Sequence, residues 1–282
     1  MIPPITVIES TNACNLKCLM CARNYMTRPV GFMDLELEQK IVSQIPSGRF
    51  IWTHGWGEPL LHPQFDEFVK IAKGQGLQVG AITNATLLTV EWAKKIFDSK
   101  LDWLVFSIDA ESEILYQKIR GVSYQEVASN VSGFLDLKRK LGYNLPHTQI
   151  NIVDIPLSQE EISPLIRRWR RRVDKIRIKH MNDYGSQCPK IHALKKEPLR
   201  PRRAVCSAVV NGGIIIYWDG RVGPCCTDFD GKIIYGDLNK QTIEEVWGGP
   251  VRRNLLEDQK KGIFHEECKY CRIHEDPFRD VA

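Results

Sequence analysis

The chain has 282 residues, 43% hydrophobic and 26% charged, with a formal net charge of +5. Those proportions suit a soluble globular protein of one large or two modest domains. No apolar run approaches the length of a membrane span, and the opening Met1-Ile-Pro-Pro lacks the basic and apolar regions of a secretory signal, so a cytoplasmic protein without a membrane partner is expected.

Taken in order, the chain opens on a β-like segment, Thr6-Val-Ile-Glu9, followed by Cys14, Cys18 and Cys21 in a C-x3-C-x2-C run. Three thiolates this close can wrap one soft-metal centre. A cubane iron–sulfur cluster ordinarily takes four, so three leave one iron open to a ligand that is not protein. The spacing differs from the paired C-x2-C units of structural zinc sites. Strand and helix patterns then alternate. Leu37, Ile41 and Ile45 recur at helical spacing, and Arg49 to Thr53 reads as a strand entering Gly55-Trp-Gly-Glu-Pro59. Phe65, Phe68, Val69 and Ala72 mark a helix face, and Gln78 to Thr83 is a third strand. Glu91 to Ser99 is helical, and the apolar run Trp103 to Phe106 suits a buried parallel strand. A long helical region covers Tyr116 to Leu141, with Gly121 as a candidate break. Thr148 to Ile155 and Ile176 to Met181 supply the last two strands. Between them Ser158-x-x-Glu161 resembles a capping box, while Ser163-Pro164 offers a later helix start. Six such repeats predict an α/β fold with a parallel sheet and right-handed crossovers.

Charge is unevenly spread. Leu165 to His180 holds eight Lys and Arg against a single acid, Asp174, and more basic residues follow at Lys195, Lys196 and Arg200 to Arg203. Trp169 is the sole aromatic residue in the first run, too thin an interleaving for a nucleic-acid surface. What remains is a solvated helix face or a patch for an anionic substrate or acidic peptide. The nine cysteines are an odd number, three near the start and six between Cys188 and Cys271, which argues against a disulfide framework and for metal ligation.

A C-x3-C-x2-C run behind a first strand resembles the radical S-adenosylmethionine (SAM) enzymes. The resemblance implies a partial (β/α)6 barrel over residues 1–185 with its chemistry at the C-terminal strand ends, in accord with the rule for parallel barrels. It implies a [4Fe–4S] cluster on Cys14, Cys18 and Cys21 whose open iron chelates SAM, and cleavage of SAM to a 5′-deoxyadenosyl radical that abstracts a substrate hydrogen. Gly55-Trp-Gly-Glu-Pro59 resembles the family's Gly-Gly-Glu-Pro segment. By that resemblance Gly57 and Glu58 contact the SAM amino group, a carboxylate being the natural partner of an ammonium; Trp56 interrupts the usual glycine pair. Ser107-Ile-Asp109 resembles the family's Ser-Ile-Asp segment and implies that Ser107 and Asp109 bond the ribose or methionine portion of SAM. Thr83-Asn84 resembles its Thr-Asn-Gly segment, with Ala85 in place of the glycine and Asn84 as a further contact. Met20 sits where the family has an aromatic residue beside the adenine.

After Tyr184-Gly185 the periodicity breaks, and a second unit is expected over residues 186–282. Ile214 to Val222 has a hairpin signature with Asp219-Gly220 as its turn, and it delivers Pro224-Cys225-Cys226. Thr242-x-x-Glu245 caps a helix carrying Trp247, and the tail presents Cys268-Lys-Tyr-Cys271. Four cysteines without a vacancy would suit structural zinc. The order of motifs also resembles the SPASM/Twitch extension of radical SAM enzymes, in its shorter form, which implies a second, auxiliary [4Fe–4S] cluster on Cys206, Cys225, Cys268 and Cys271. Cys225 follows the proline as in the family; Cys226 and Cys188 are left over, and either could complete or exchange in the site.

The short chain with one auxiliary site is similar to small carbohydrate- or cyclitol-modifying members such as 2-deoxy-scyllo-inosamine dehydrogenases. That implies a natural-product oxidoreductase acting on a carbinol carbon, with the auxiliary cluster as electron acceptor and a flavodoxin- or ferredoxin-type protein as donor. A basic group near the sixth strand is then expected. Arg177, Lys179 and His180 lie there, and strand alternation sets the first two opposite the third. Two other expectations compete. One is a peptide-modifying enzyme (epimerisation, crosslinking or residue oxidation) gripping an acidic leader with Arg167, Arg168, Arg170, Arg171 and Arg172. Against it, only thirteen residues precede Cys14, so no fused peptide-recognition domain is expected. The other is a non-catalytic iron–sulfur or zinc scaffold, which has no need of an open iron or of Gly57-Glu58-Pro59. Residue patterns identify no catalytic acid or base.

Overall fold

The computed structural model describes residues 2–3, 5–182, 184, 187–195, 198–271 and 279–281. The apolar runs form strands where their patterns predict them: β1 (Ile5–Ile8), β2 (Phe50–Trp52), β3 (Gln78–Thr83), β4 (Trp103–Ser107), β5 (His147–Asp154) and β6 (Lys175–His180). They pair in parallel in chain order. Parallel neighbours require crossovers, which the helices α1 (Leu35–Val42), α2 (Phe65–Gly74), α3 (Val90–Asp98), α4 (Glu113–Arg120), α5 (Tyr124–Leu141) and α6 (Gln159–Trp169) supply. The face of α2 read from its spacing, Phe65, Phe68, Val69 and Ala72, is fully buried. Each large side chain so buried contributes about 1.5–3 kcal/mol.

One local expectation is met and a second is corrected. The region from Tyr116 to Leu141 is two helices: Gly121 takes a left-handed C-cap (φ 77), and the Ser123 side chain accepts the Glu126 N–H to start α5. Helix α6 starts at Gln159 with Pro164 inside it, and Ser158 makes no side-chain cap. The Glu161 carboxylate is engaged elsewhere, accepting the N–H groups of Glu111 and Ser112 at 2.6 and 2.9 Å.

The sheet is larger than six repeats suggest. Among the described residues its ten strands run β10-β6-β5-β4-β3-β2-β1-β7-β8-β9. The predicted hairpin is β7 (Gly213–Ile216) and β8 (Arg221–Gly223), followed by β9 (Gly236–Asp237). β7 lies parallel to β1, from Ile5 opposite Gly213 to Ile8 opposite Ile216. The cysteine-rich C-terminal part therefore continues the parallel sheet instead of standing apart from it. At the far edge β10 (Arg279–Val281) pairs antiparallel with β6. The expected boundary between Gly185 and Ser186 lies outside the described residues, as does Lys196 of the basic run. Because β1 to β6 are parallel, the loops carrying the cysteine run, Glu58, Asn84 and Ser107 all leave one end of the sheet.

Candidate active site and auxiliary cysteine pocket

Those loops enclose a cavity of about 310 Å³ whose wall includes Cys14, Cys18 and Cys21. The cysteine loop is held by its own polar residues. Asn12 accepts the Gly31 N–H and donates to Pro29 O, both at 2.8 Å, and Arg23 Nε donates to Asn12 O at 2.7 Å. Beneath it Glu9, fully buried, accepts two hydrogen bonds from the Arg28 guanidinium at 2.6 and 2.7 Å and one from the Trp56 N–H at 3.0 Å. Burial, with Cys18 beside it, pushes the Cys21 thiol up to about 12, and burial also raises Cys14. Free thiolates are disfavoured here, and a cationic iron centre would supply the missing counter-charge.

The Gly55-Trp-Gly-Glu-Pro59 loop explains its own glycines. A Cβ on Gly55 would lie 2.4 Å from Glu9 Oε1, and one on Gly57 would lie 2.2 Å from Thr11 O, so both positions need the bare backbone. Trp56 fits between them with its side chain on the cavity wall. Glu58 is 2% exposed, and its carboxylate accepts Leu60 N–H at 3.1 Å, Thr83 Oγ1 at 2.7 Å and Asn84 N–H at 2.6 Å. Burial raises its pKa to about 7, although those three donors pull the other way. Ala85, where the resembling motif has glycine, takes a left-handed backbone (φ 61), the conformation glycine would favour.

Gly57, Glu58, Asn84, Ser107 and Met20 all line the cavity. Asp109 does not share the placement of Ser107. It is fully buried, accepts the Val153 N–H at 2.7 Å and forms an ion pair with Arg120, whose Nε lies 2.6 Å away. Arg120 is the residue on the cavity wall, with Nη1 3.7 Å from Cys18 Sγ. Sequence reading missed it because an Arg ahead of a helix-ending Gly looks like ordinary C-terminal capping charge.

The rest of the wall includes His54, Trp56, Lys179, Asn182, Tyr184, Cys226 and Thr227. Strand β6 thereby resolves its alternation. Lys179 lines the cavity, Lys175 and Arg177 on the same face pair with Asp280, and His180 is exposed on the other face. Burial lowers the Lys179 pKa, and burial together with the Lys179 charge lowers that of His54 to about 3. Tyr184, at φ 54, sets its ring edge-on to Trp56 (5.6 Å) and Phe229 (6.0 Å). The aromatic wall had no sequence signal beyond Trp56, since its members come from separate loops.

A second pocket, about 20 Å³, is lined by Cys206, Cys225, Cys268 and Cys271. Asp228 closes the loop behind Cys225 by accepting the N–H groups of Lys232 and Ile233 at 2.9 and 2.8 Å. Gln259 Oε1 accepts the Cys206 N–H at 2.9 Å. Burial raises Cys225, and it pushes Cys268 up to about 12 with Cys271 adding to the effect. Cys226 lines the larger cavity, and Cys188 is buried beside Ala22, Ile191 and Phe229. Among the described residues no three His, Cys, Asp or Glu side chains converge on a single-ion position. Three thiols on an open wall and four around a closed pocket match the ligand sets of an open and a fully ligated cluster.

The basic run splits. Arg168 pairs with Glu111 and Arg172 with Asp136, while Arg167, Arg170 and Arg171 are exposed. Among the described residues no helix is long and apolar enough to cross a membrane.

Comparison with known proteins agrees with this geometry. The Radical SAM superfamily profile matches residues 8–169, and that of an iron-sulfur cluster-binding domain, SPASM, matches residues 206–272. The tungsten-containing aldehyde ferredoxin oxidoreductase cofactor-modifying protein of Pyrococcus furiosus is 28% identical over 95% of this chain and 87% of its own length. Among solved structures, BtrN in complex with AdoMet and 2-DOIA superposes with a TM-score of 0.63 at 18% identity, covering 96% of this chain and 93% of BtrN. Streptococcus suis SuiB bound to its precursor peptide SuiA gives 0.69 at 14% identity, covering 89% of this chain and 66% of SuiB. The fold is thus the partial barrel of the radical SAM core with a SPASM-like cysteine-rich C-terminal domain. The first match brings with it a [4Fe–4S] cluster and SAM, and the second a further iron–sulfur cluster. With a superfamily profile spanning more than half of it, the chain belongs to the radical SAM superfamily and is an enzyme of that class.

Proposed function

We propose that this enzyme oxidises a small sugar- or cyclitol-type intermediate, with the auxiliary cluster accepting the second electron. The observation that carries the reading is the split of two adjacent residues. Cys225 lines the auxiliary pocket and Cys226 the reaction cavity, so one peptide unit is common to both walls. A substrate seated against Cys226 is one residue from an auxiliary ligand.

In this reading Cys14, Cys18 and Cys21 hold the first cluster, and Cys206, Cys225, Cys268 and Cys271 the second. The boundary between the radical SAM unit and the cysteine-rich unit is placed between residues 185 and 186. When bound, the clusters and SAM supply a carbon-centred radical that removes hydrogen and a one-electron acceptor. Glu58, already fixed by three donors, receives the SAM ammonium, and Gly57 lets the backbone come close. Arg120, oriented by Asp109, faces the SAM carboxylate, Asn84 and Ser107 bond its polar portions, and Met20 gives the adenine an apolar surface. Lys179 Nζ, whose charged form burial disfavours, takes the carbinol proton. A flavodoxin- or ferredoxin-type donor and a cytoplasmic location complete the proposal.

Peptide modification is the second reading, favoured by the TM-score of 0.69 to peptide-bound SuiB. The deciding experiment is anaerobic reconstitution, metal and sulfide analysis, and SAM cleavage with cyclitol and acidic-peptide panels. The proposal expects about eight irons and 5′-deoxyadenosine formed in step with cyclitol oxidation. Stimulation by peptides alone, lost when Arg167, Arg170 and Arg171 are neutralised, would transfer the enzyme to the second reading. About four irons with zinc retained would remove the electron acceptor.

A further inference from the structure

We infer that Arg202 is a positioning residue that raises the reduction potential of the cluster in the auxiliary pocket. The inference rests on the reading that the four cysteines there hold that cluster. Arg202 is 5% exposed and lines the 20 Å³ pocket together with Cys206, Cys225, Cys268 and Cys271. Both ends of the residue clasp the C-x2-C turn. Its backbone N–H donates to Lys269 O at 2.7 Å, and its guanidinium Nη2 donates to Cys271 O. The guanidinium is therefore held among the thiols by main-chain geometry, not placed there by a flexible surface side chain.

Charge gives the placement its consequence. Four thiolates around a cubane leave a net negative centre, and reduction adds one more negative charge. In a pocket this dry, a fixed cation favours the reduced state over the oxidised one, and salt screens it little. Net charge and solvent exposure are among the factors that set cluster potentials. Among the described lining residues Arg202 is the cation, and Asp228 and Glu267 are the acids that oppose it. An arginine keeps its charge under such burial, and a lysine beside so negative a centre is held in its charged form as well, so Arg202→Lys conserves the charge. The effect suits a centre that receives an electron from substrate and differs from a merely structural clasp, which would hold the cluster without moving its potential.

The test is an EPR-monitored redox titration of full-length protein, reconstituted anaerobically, with Cys14, Cys18 and Cys21 changed to Ala so that one cluster reports. Arg202→Gln is expected to keep about four irons and to move the midpoint to more negative values. The reduced-to-oxidised ratio at fixed potential should fall about tenfold, equal to about 59 mV for a one-electron couple. Glu267→Gln, which removes an acid from the same lining, should move the midpoint the other way. Gln259→Ala removes the acceptor of the Cys206 N–H without changing charge and should leave the midpoint where it was. Arg202→Gln with its irons intact and an unchanged midpoint overturns the inference. Should Arg202→Gln lose its irons, Arg202→Lys and Glu267→Gln decide. A midpoint held in the lysine variant and raised in the glutamine one supports a charge effect, and any other pair of results refutes it. If the parent protein binds no iron in this pocket, the failure belongs to the underlying reading of the site.

Discussion

The two cysteine sites use one ligand type for opposite ends. The first offers three thiols on the wall of a cavity of about 310 Å³, assembled from the loops of several strands and open to an exchangeable ligand. The second offers four thiols around a pocket of about 20 Å³, closed by Arg202, Asp228 and the C-x2-C turn. Ligand number and enclosed volume, not residue identity, separate a site built for turnover from one built for retention. Cys225 and Cys226 stand on either side of that distinction. Cys225→Ser is expected to cost the whole second cluster, with iron falling from about eight to about four. Cys226→Ser should leave about eight. Iron and sulfide analysis of the two variants, side by side, breaks the comparison if their results exchange.

The cysteine groupings were legible in part: C-x3-C-x2-C and C-x2-C are local patterns, whereas Cys206 and Cys225 were joined to the second group by resemblance to a family. The direction taken by Cys226 was not. Cys225 and Cys226 lie past the end of β8 where the chain turns, and nothing local says which pocket each side chain meets. The same limit explains Lys179. Alternation separates it from His180, and only the packing of β6 shows which face meets the cavity. The six parallel strands could be read from apolar runs alone. The pairing of β7 with β1 and of β10 with β6 could not, because a strand's partner across some two hundred or one hundred residues of chain leaves no period in its own composition. Arg120 and Asp109 show a third kind of gap. A strand-end carboxylate looks like a ligand contact until the far end of the next helix supplies the cation that occupies it.

A buried ion pair fastens the loops of the first site to the C-terminal hairpin. The Glu9 carboxylate accepts from Arg28 at 2.6 and 2.7 Å, and from the N–H groups of Trp56 at 3.0 Å and Trp218 at 3.3 Å. Arg28 in turn donates Nε to Phe229 O at 2.8 Å and lies over the Tyr217 ring at 4.6 Å. One carboxylate thus ties the cysteine loop, the glycine-rich loop and the C-terminal hairpin. Breaking such a pair from one side leaves an uncompensated buried charge, at a cost of about 3–5 kcal/mol. Arg28→Met should lower the free energy of urea unfolding by that amount. Lys70→Met removes an exposed pair with Glu67 and should change it by less than about 1 kcal/mol. Equal effects from the two variants would mean that the buried pair does not fasten the loops.

Burial without partners contrasts with the carboxylate in the open site. Glu58 is buried but has three hydrogen-bond donors, and its pKa rises only to about 7. Glu38, on α1 and fully buried, has neither oxygen hydrogen-bonded, and burial alone raises its pKa to about 10. In the unfolded chain the same carboxyl ionises near 4.5. Between those two values the folded state binds the proton more tightly than the unfolded state does. Unfolding therefore releases it, and stability falls as pH rises through the window. Below about pH 4.5 both states are protonated and the penalty disappears. Glu38→Met should remove the titration, leaving a protein that matches the parent near pH 4.5 and exceeds its unfolding free energy by a few kcal/mol at pH 8. A difference between the two proteins that stays constant from pH 5 to pH 8 would show that Glu38 finds a partner or water in solution, and that the unpartnered carboxyl on α1 is not a proton-binding group.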